Sequence, residues 1–122
     1  MTASTLDAFA RLAVEHWRLV RVLARLVERL PQEAQARVAA QARFASSQLD
    51  AVVKEQGLSL ETFEGRVFDP SLPITAINAD DFAAGATLVV GDTAEPTVMA
   101  NGRVLQLGKV LLSQGAADAS RN

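Results

Sequence analysis

The sequence predicts an α+β protein with its helices and strands segregated, an N-terminal helical hairpin followed by a small, mainly antiparallel β module. Three observations predict it. Apolar residues recur at helical spacing as far as Leu30; Pro31 breaks that pattern before a second helical stretch begins; and beyond Gly57 the chain changes to short alternating runs punctuated by Pro, Gly and Asn-Gly.

Helix one is expected to start at Ser4-Thr5-Leu6-Asp7, a hydroxyl N-cap with an acid three residues on, and to run to Leu30. In heptads, Leu6, Ala13, Val20 and Val27 form one line, Phe9, His16, Leu23 and Leu30 a second, and Leu12, Leu19 and Leu26 a third. Arg11, Arg18 and Arg25 fall on the opposite side, where water is expected. Pro31 suits a tight corner and the first turn of a new helix. Helix two then carries a stripe of Val38, Ala42, Ala45, Leu49, Val52 and Val53 to about Gln56, with Gly57 as its C-cap.

Two short antiparallel helices cover about one stripe on each other, and helix one offers a much wider apolar face. A symmetric dimer forming a four-helix bundle would cover the surplus, with Phe9, Leu12, Trp17, Leu19, Leu23, Leu26 and Leu49 at the interface. Packing of helix one on the β module is the other remedy.

Residues 58–66 read as a connector that begins extended. Phe68-Asp69-Pro70 and Leu72-Pro73 are rigid turn signals; Ile74-Thr75-Ala76-Ile77 alternates; and Asn78-Ala79-Asp80-Asp81 with Gly85 reads as a turn. Residues 87–90, 97–100, 103–107 and 109–112 are the stronger strand candidates. Asn101-Gly102 between two of them predicts a tight hairpin. The expected organisation is thus a hairpin over residues 1–57, a β module over 58–112 and a disordered tail over 113–122.

Hydrophobic residues make up 49% of the 122 and charged ones 21%, a globular balance that sets aside a wholly disordered chain. With no cysteine, disulfides and thiolate metal sites are excluded. Met1-Thr2-Ala3-Ser4-Thr5 lacks a signal-peptide pattern and no run is long enough to span a bilayer, so a cytoplasmic location is expected and a membrane is not. A net charge of −2 gives no general attraction to nucleic acid.

His16 is the only histidine, and it sits on an apolar helix face, so it reads as a packing or interface imidazole, with a pH-sensing contact as the sharper alternative. Asp80-Asp81 reads as turn chemistry, because neighbours in extended backbone point opposite ways. Gly91-Asp92-Thr93 lacks the strand-loop-helix context of a phosphate site. No active site, cofactor or metal is expected.

Leu49-Asp50-Ala51-Val52-Val53, Phe68-Asp69-Pro70, Asp80-Asp81, Gly85 and Asn101-Gly102-Arg103-Val104 occur in the order seen in GrpE proteins. From about Leu6 to Leu112 the chain resembles that family. Its members are dimeric nucleotide-exchange factors of the stress response: a long paired helix leads into a four-helix bundle, and a β wing presses on the ATPase domain of a DnaK-type chaperone. The resemblance implies that the hairpin is the dimer bundle and the β module the wing. It also implies that Arg103 and Leu112 touch the chaperone, with Asp92 in the segment of residues 92–96 that stands for the family's hairpin tip. Several positions differ from the family's pattern. The long paired helix has no counterpart here, Pro73 stands for a usual His, Gln106 for a second Arg, and Ala40 for a helix glycine. Two functions are therefore expected: a GrpE-like co-chaperone that promotes ADP release, or a GrpE-derived scaffold that has lost exchange and docks onto another assembly.

Overall fold

A computed structural model describes residues 3–114 of the chain. They belong to two compact units, Met1–Leu60 and Glu61–Asn122.

The first unit is a pair of helices. Helix α1 spans Ala3–Leu26, so Ser4 lies inside it and does not cap it, a shift of the kind helix ends commonly show. The α-helix also stops earlier than its apolar period suggests. It tightens into a 3₁₀ turn at Val27–Arg29, and Leu30 becomes extended (φ −83°, ψ 157°) because the following proline disfavours the helical region. Pro31 is itself the N-cap of α2, which spans Gln32–Glu55. The Gln35 amide donates 3.1 Å to the Leu30 carbonyl, satisfying an acceptor that the helix end leaves without an intrahelical partner. Gly57 stops α2 as expected: it adopts φ 74°, and its N–H donates to the Lys54 carbonyl at 2.9 Å.

Buried positions on the two helices are small: Ala10, Ala13 and Val14 on α1, Ala42 and Val53 on α2. Small residues let helix axes approach closely. The large apolar residues of α1 are left elsewhere. Strand β1 (Leu58–Glu61) follows, across the boundary between the units.

In the second unit, Phe68-Asp69-Pro70 begins a β-turn closed by the Leu72 N–H on the Asp69 carbonyl at 2.9 Å. The Ser71 N–H donates 2.8 Å to the Asp69 carboxylate. That bond, then the Ser71 hydroxyl and more weakly the charge of Arg66, hold this exposed carboxyl below the ordinary aspartate pKa. The stabilisation is therefore present above the ordinary value and is lost as pH falls through the lower, folded one.

Strands β2 (Ile74–Ala76), β3 (Leu88–Glu95) and β6 (Gly108–Gln114) form one sheet in the order β2-β6-β3. It is mixed: β3 runs antiparallel to β6, whereas β2 joins parallel, with Ile74 beside Gly108 and Ala76 beside Val110. Beyond β2, the Ile77 N–H donates to the Val110 carbonyl at 2.9 Å. The Asn78 side chain then accepts from the Leu112 N–H at 2.8 Å and donates to its carbonyl at 3.1 Å. A side-chain amide thus does what a further strand residue would do. The expected turn begins one step later, as a 3₁₀ turn over Ala79–Asp81.

Strands β4 (Thr97–Ala100) and β5 (Arg103–Gln106) make the expected hairpin. Asn101 (φ 52°) and Gly102 (φ 81°) both take the left-handed conformation that a two-residue hairpin turn requires. Residues 92–96 are not a loop. Asp92 through Glu95 continue β3 against β6, with register shifts between Val90 and Asp92 and between Thr93 and Glu95, and the break comes only at Pro96. Ser113 and Gln114 likewise belong to β6 and not to a tail; the rest of the expected tail, residues 115–122, lies outside the described residues.

Ile74, Val90, Val110 and Leu112 form the buried core of this unit, and Phe63, Phe68, Leu72 and Phe82 from the loops pack against it. Where β4 and β6 begin, the fully buried Thr97 hydroxyl donates 2.8 Å to the Pro73 carbonyl and accepts 3.2 Å from the Gly108 N–H. A Cβ at position 108 would lie 2.6 Å from that hydroxyl and 2.9 Å from the Glu95 carbonyl and the Thr97 nitrogen. Gly108→Ala is expected to lower stability by about 1–3 kcal/mol through overpacking. Thr97→Val should cost less, about 0.5–1.5 kcal/mol, because it removes the hydroxyl's own bonds while the Gly108 N–H still donates to the Pro73 carbonyl at 3.2 Å. Urea denaturation of the two variants measures both.

Candidate partner-binding surfaces

Among the described residues no group of three or more His, Cys, Asp or Glu side chains is placed to hold a metal ion. The features that could engage another molecule are apolar surfaces, one on the helices and others on the β unit.

On α1, Leu12 is 68% exposed and Leu19 70%, and Leu23 and Leu26 are also exposed. Residues three, four and seven apart share a helix face, so these four form one continuous apolar strip. His16 lies within it, exposed, between Leu12 and Leu19 along the helix. Burying such leucines on another apolar surface is worth about 1.5–3 kcal/mol each, so leaving the strip in water forgoes several kcal/mol. Arg18, on the polar side, pairs with Glu15 at 3.1 Å in water, where such pairs contribute about 0–1 kcal/mol.

The seven residues expected at a dimer interface do not share one surface. Leu12, Leu19, Leu23 and Leu26 lie on the open strip; Phe9 is half-buried. Trp17 and Leu49 instead line a groove of about 470 Å³ between α1 and α2, together with Ala24, Ala39 and Ala42. The Arg21 guanidinium stacks 4.8 Å above the Trp17 ring in this groove, a favourable cation–π contact. Phe44 on α2, 62% exposed, also offers apolar surface; it sits off the stripe that marks that helix's buried side, and its isolation there is the signal in the sequence.

In the β unit, Arg103 is exposed directly after the turn, beside an open depression lined by Ala100, Asn101, Val104 and Leu105. Asp92 is half-buried on β3, opposite Leu111 of β6, and its carboxylate accepts from the Thr93 N–H at 2.9 Å. The Thr93 hydroxyl in turn bonds to Glu64. Leu112 does not reach the surface: only 5% exposed, it is part of the core with Val90 and Val110. Strand side chains alternate between faces, and on β6 it is Leu111, 40% exposed, that faces outward, with Lys109 on the same face. Lys109 was the available signal, since a lysine marks the wet face and Leu111 shares its parity. Ile77, 57% exposed, follows β2 in the same register and lies next to Leu111. The structure therefore brings Asp92, Leu111 and Ile77 onto adjacent strands and leaves Arg103 on the separate β4–β5 hairpin.

The chain matches no protein-family model, no curated protein sequence and no solved structure.

Truncation separates the two leucines. Leu112→Ala is expected to destabilise the fold by about 2–5 kcal/mol, whereas Leu111→Ala should stay within about 0.5 kcal/mol; thermal unfolding of the two variants reads the contrast.

Proposed function

We propose that the chain is a GrpE-like co-chaperone, a homodimer that engages the ATPase domain of a DnaK-type chaperone in the cytoplasm and promotes ADP release. The observation that carries this reading is the coupling, in one chain, of a helical hairpin with an uncovered leucine strip to a β unit whose Asn-Gly turn presents Arg103. The ordered sequence motifs point the same way. No described helix is long and apolar enough to cross a membrane, which fits a co-chaperone that works in solution.

In this reading the leucine strip pairs with its symmetry mate, completing a four-helix bundle. The β unit binds the chaperone better when its nucleotide cleft is open than when it is closed. Binding then shifts the chaperone toward the open state and ADP leaves, with no bond made or broken by the co-chaperone.

A second reading is supported by one specific observation: Leu112, a contact position in the family, is part of the core here. A dimer that kept the bundle and the wing with a reduced contact set would be a scaffold for another assembly.

The deciding experiment measures release of fluorescent ADP from DnaK-type chaperones at saturating concentrations of the full chain. Acceleration is expected, with Arg103→Ala weakening it by about tenfold, or about 1.4 kcal/mol, while Leu19→Glu converts the dimer to monomer in sedimentation. An unchanged release rate sinks the exchange reading and leaves the scaffold; a monomeric wild-type chain sinks both.

A further inference from the structure

The β4–β5 hairpin lies outside the β2-β6-β3 sheet, and β5 presents a strand edge that no other strand among the described residues pairs with. Strand β5 pairs with β4 alone, through Ala100–Arg103, Met99–Val104 and Val98–Gln106. None of the backbone hydrogen bonds outside the ladders engages residues 103–106. In a two-residue hairpin the positions flanking the turn exchange both of their backbone hydrogen bonds, and the next pair exchanges none. Ala100 and Arg103 are the flanking pair. Val104 therefore turns its N–H and C=O away from β4, toward the open edge.

Proteins that keep such an edge unpaired blunt it with proline, charged side chains such as lysine, β-bulges, very short strands or a covering loop, and β5 has a bulge, four residues and one arginine. Residues 103–106 contain neither proline nor lysine. Val104 is 45% exposed and Leu107, just beyond the strand, 55%. The register shift between Val98 and Met99 leaves Leu105 as the extra residue, and this bulge restricts ladder-type pairing to the turn-proximal end, around Val104. Charge narrows the choice of occupant. From Pro96 to Gln114 there is no acidic residue, and on the hairpin itself Arg103 is the only charged side chain. A segment added next to Val104 lies beside that guanidinium, which favours a carboxylate.

From this edge we infer that β5 binds an extended, acidic segment of a partner protein by strand addition, with Val104 supplying the backbone bonds and Arg103 the charge contact. Strand addition of this kind takes its affinity from main-chain bonds and its selectivity from flanking side chains. The inference does not depend on the exchange reading, since a chaperone or any other protein with such a segment could supply it.

A fluorescein-labelled peptide of alternating glutamate and valine tests it by anisotropy against the full-length chain. Three comparisons are needed: the same peptide N-methylated at alternate residues, a lysine-valine peptide, and the Arg103→Glu variant. The glutamate peptide is expected to bind and to protect the Val104 amide from hydrogen exchange. N-methylation should weaken it by about tenfold or more, and Arg103→Glu should transfer the preference to the lysine peptide. Equal binding of the N-methylated peptide, absence of binding at millimolar concentration, or binding without Val104 protection overturns the inference. So does protection of Val104 that rises with protein concentration alone, which would assign the edge to a second copy. Circular dichroism of Arg103→Glu separates lost binding from lost folding.

Discussion

Thr97 places one hydroxyl between the carbonyl of Pro73 and the amide of Gly108, and three segments distant in sequence meet there. Much of the β unit follows from that contact. It requires a glycine at 108, because any larger residue would press on Glu95 and Thr97 backbone atoms. It holds the start of β6 against the start of β4, and it anchors the chain just before β2, so that β2 enters beside β6 in parallel register. A buried hydroxyl with both donor and acceptor roles filled stabilises only modestly by itself, and here it reinforces a bond that the Gly108 N–H already makes to the Pro73 carbonyl at 3.2 Å. The hydroxyl therefore specifies the junction more than it strengthens it.

The helices were legible because their apolar period persists over many residues and their stop signals act locally. Gly57 ends α2 through its own φ, and Pro31 forces Leu30 out of the helix. Asn101-Gly102 was legible for the same reason. What resisted reading was non-local. Asp92 and Thr93 have the composition of a turn, yet they continue β3 because β6 supplies their ladder partners Leu111 and Val110. Tertiary pairing overrides local propensity in strands. Leu112 fell on the wrong side by a single position, and in a period of two a single position exchanges core for surface. Asn78 resembled a turn residue because nothing local shows that its amide will lie against the Leu112 backbone.

The surfaces left over divide by type. The α1 strip is broad, aliphatic and continuous, the kind of surface that buries well against a like surface. The β unit offers smaller contacts: an exposed pair, Leu111 and Ile77, beside Asp92, and on the β4–β5 hairpin a strand edge with one arginine. In the proposed reading, assembly through the first and recognition through the second would not compete, because they use different elements.

The Asn78 contact reaches across 34 residues to Leu112, whereas the helical hairpin is closed by neighbours around Pro31. Loop closure over long separations slows folding, and local contacts form early. The helical unit should thus form first and the mixed sheet last, when β6 has been synthesised and has found β2. Trp17, the only tryptophan, lies in the helical unit, so stopped-flow fluorescence reports that step, and sheet formation followed by hydrogen exchange should lag behind it; coincident phases would refute this order. On a ribosome, the leucine strip would then be available to a second chain before the recognition surfaces exist.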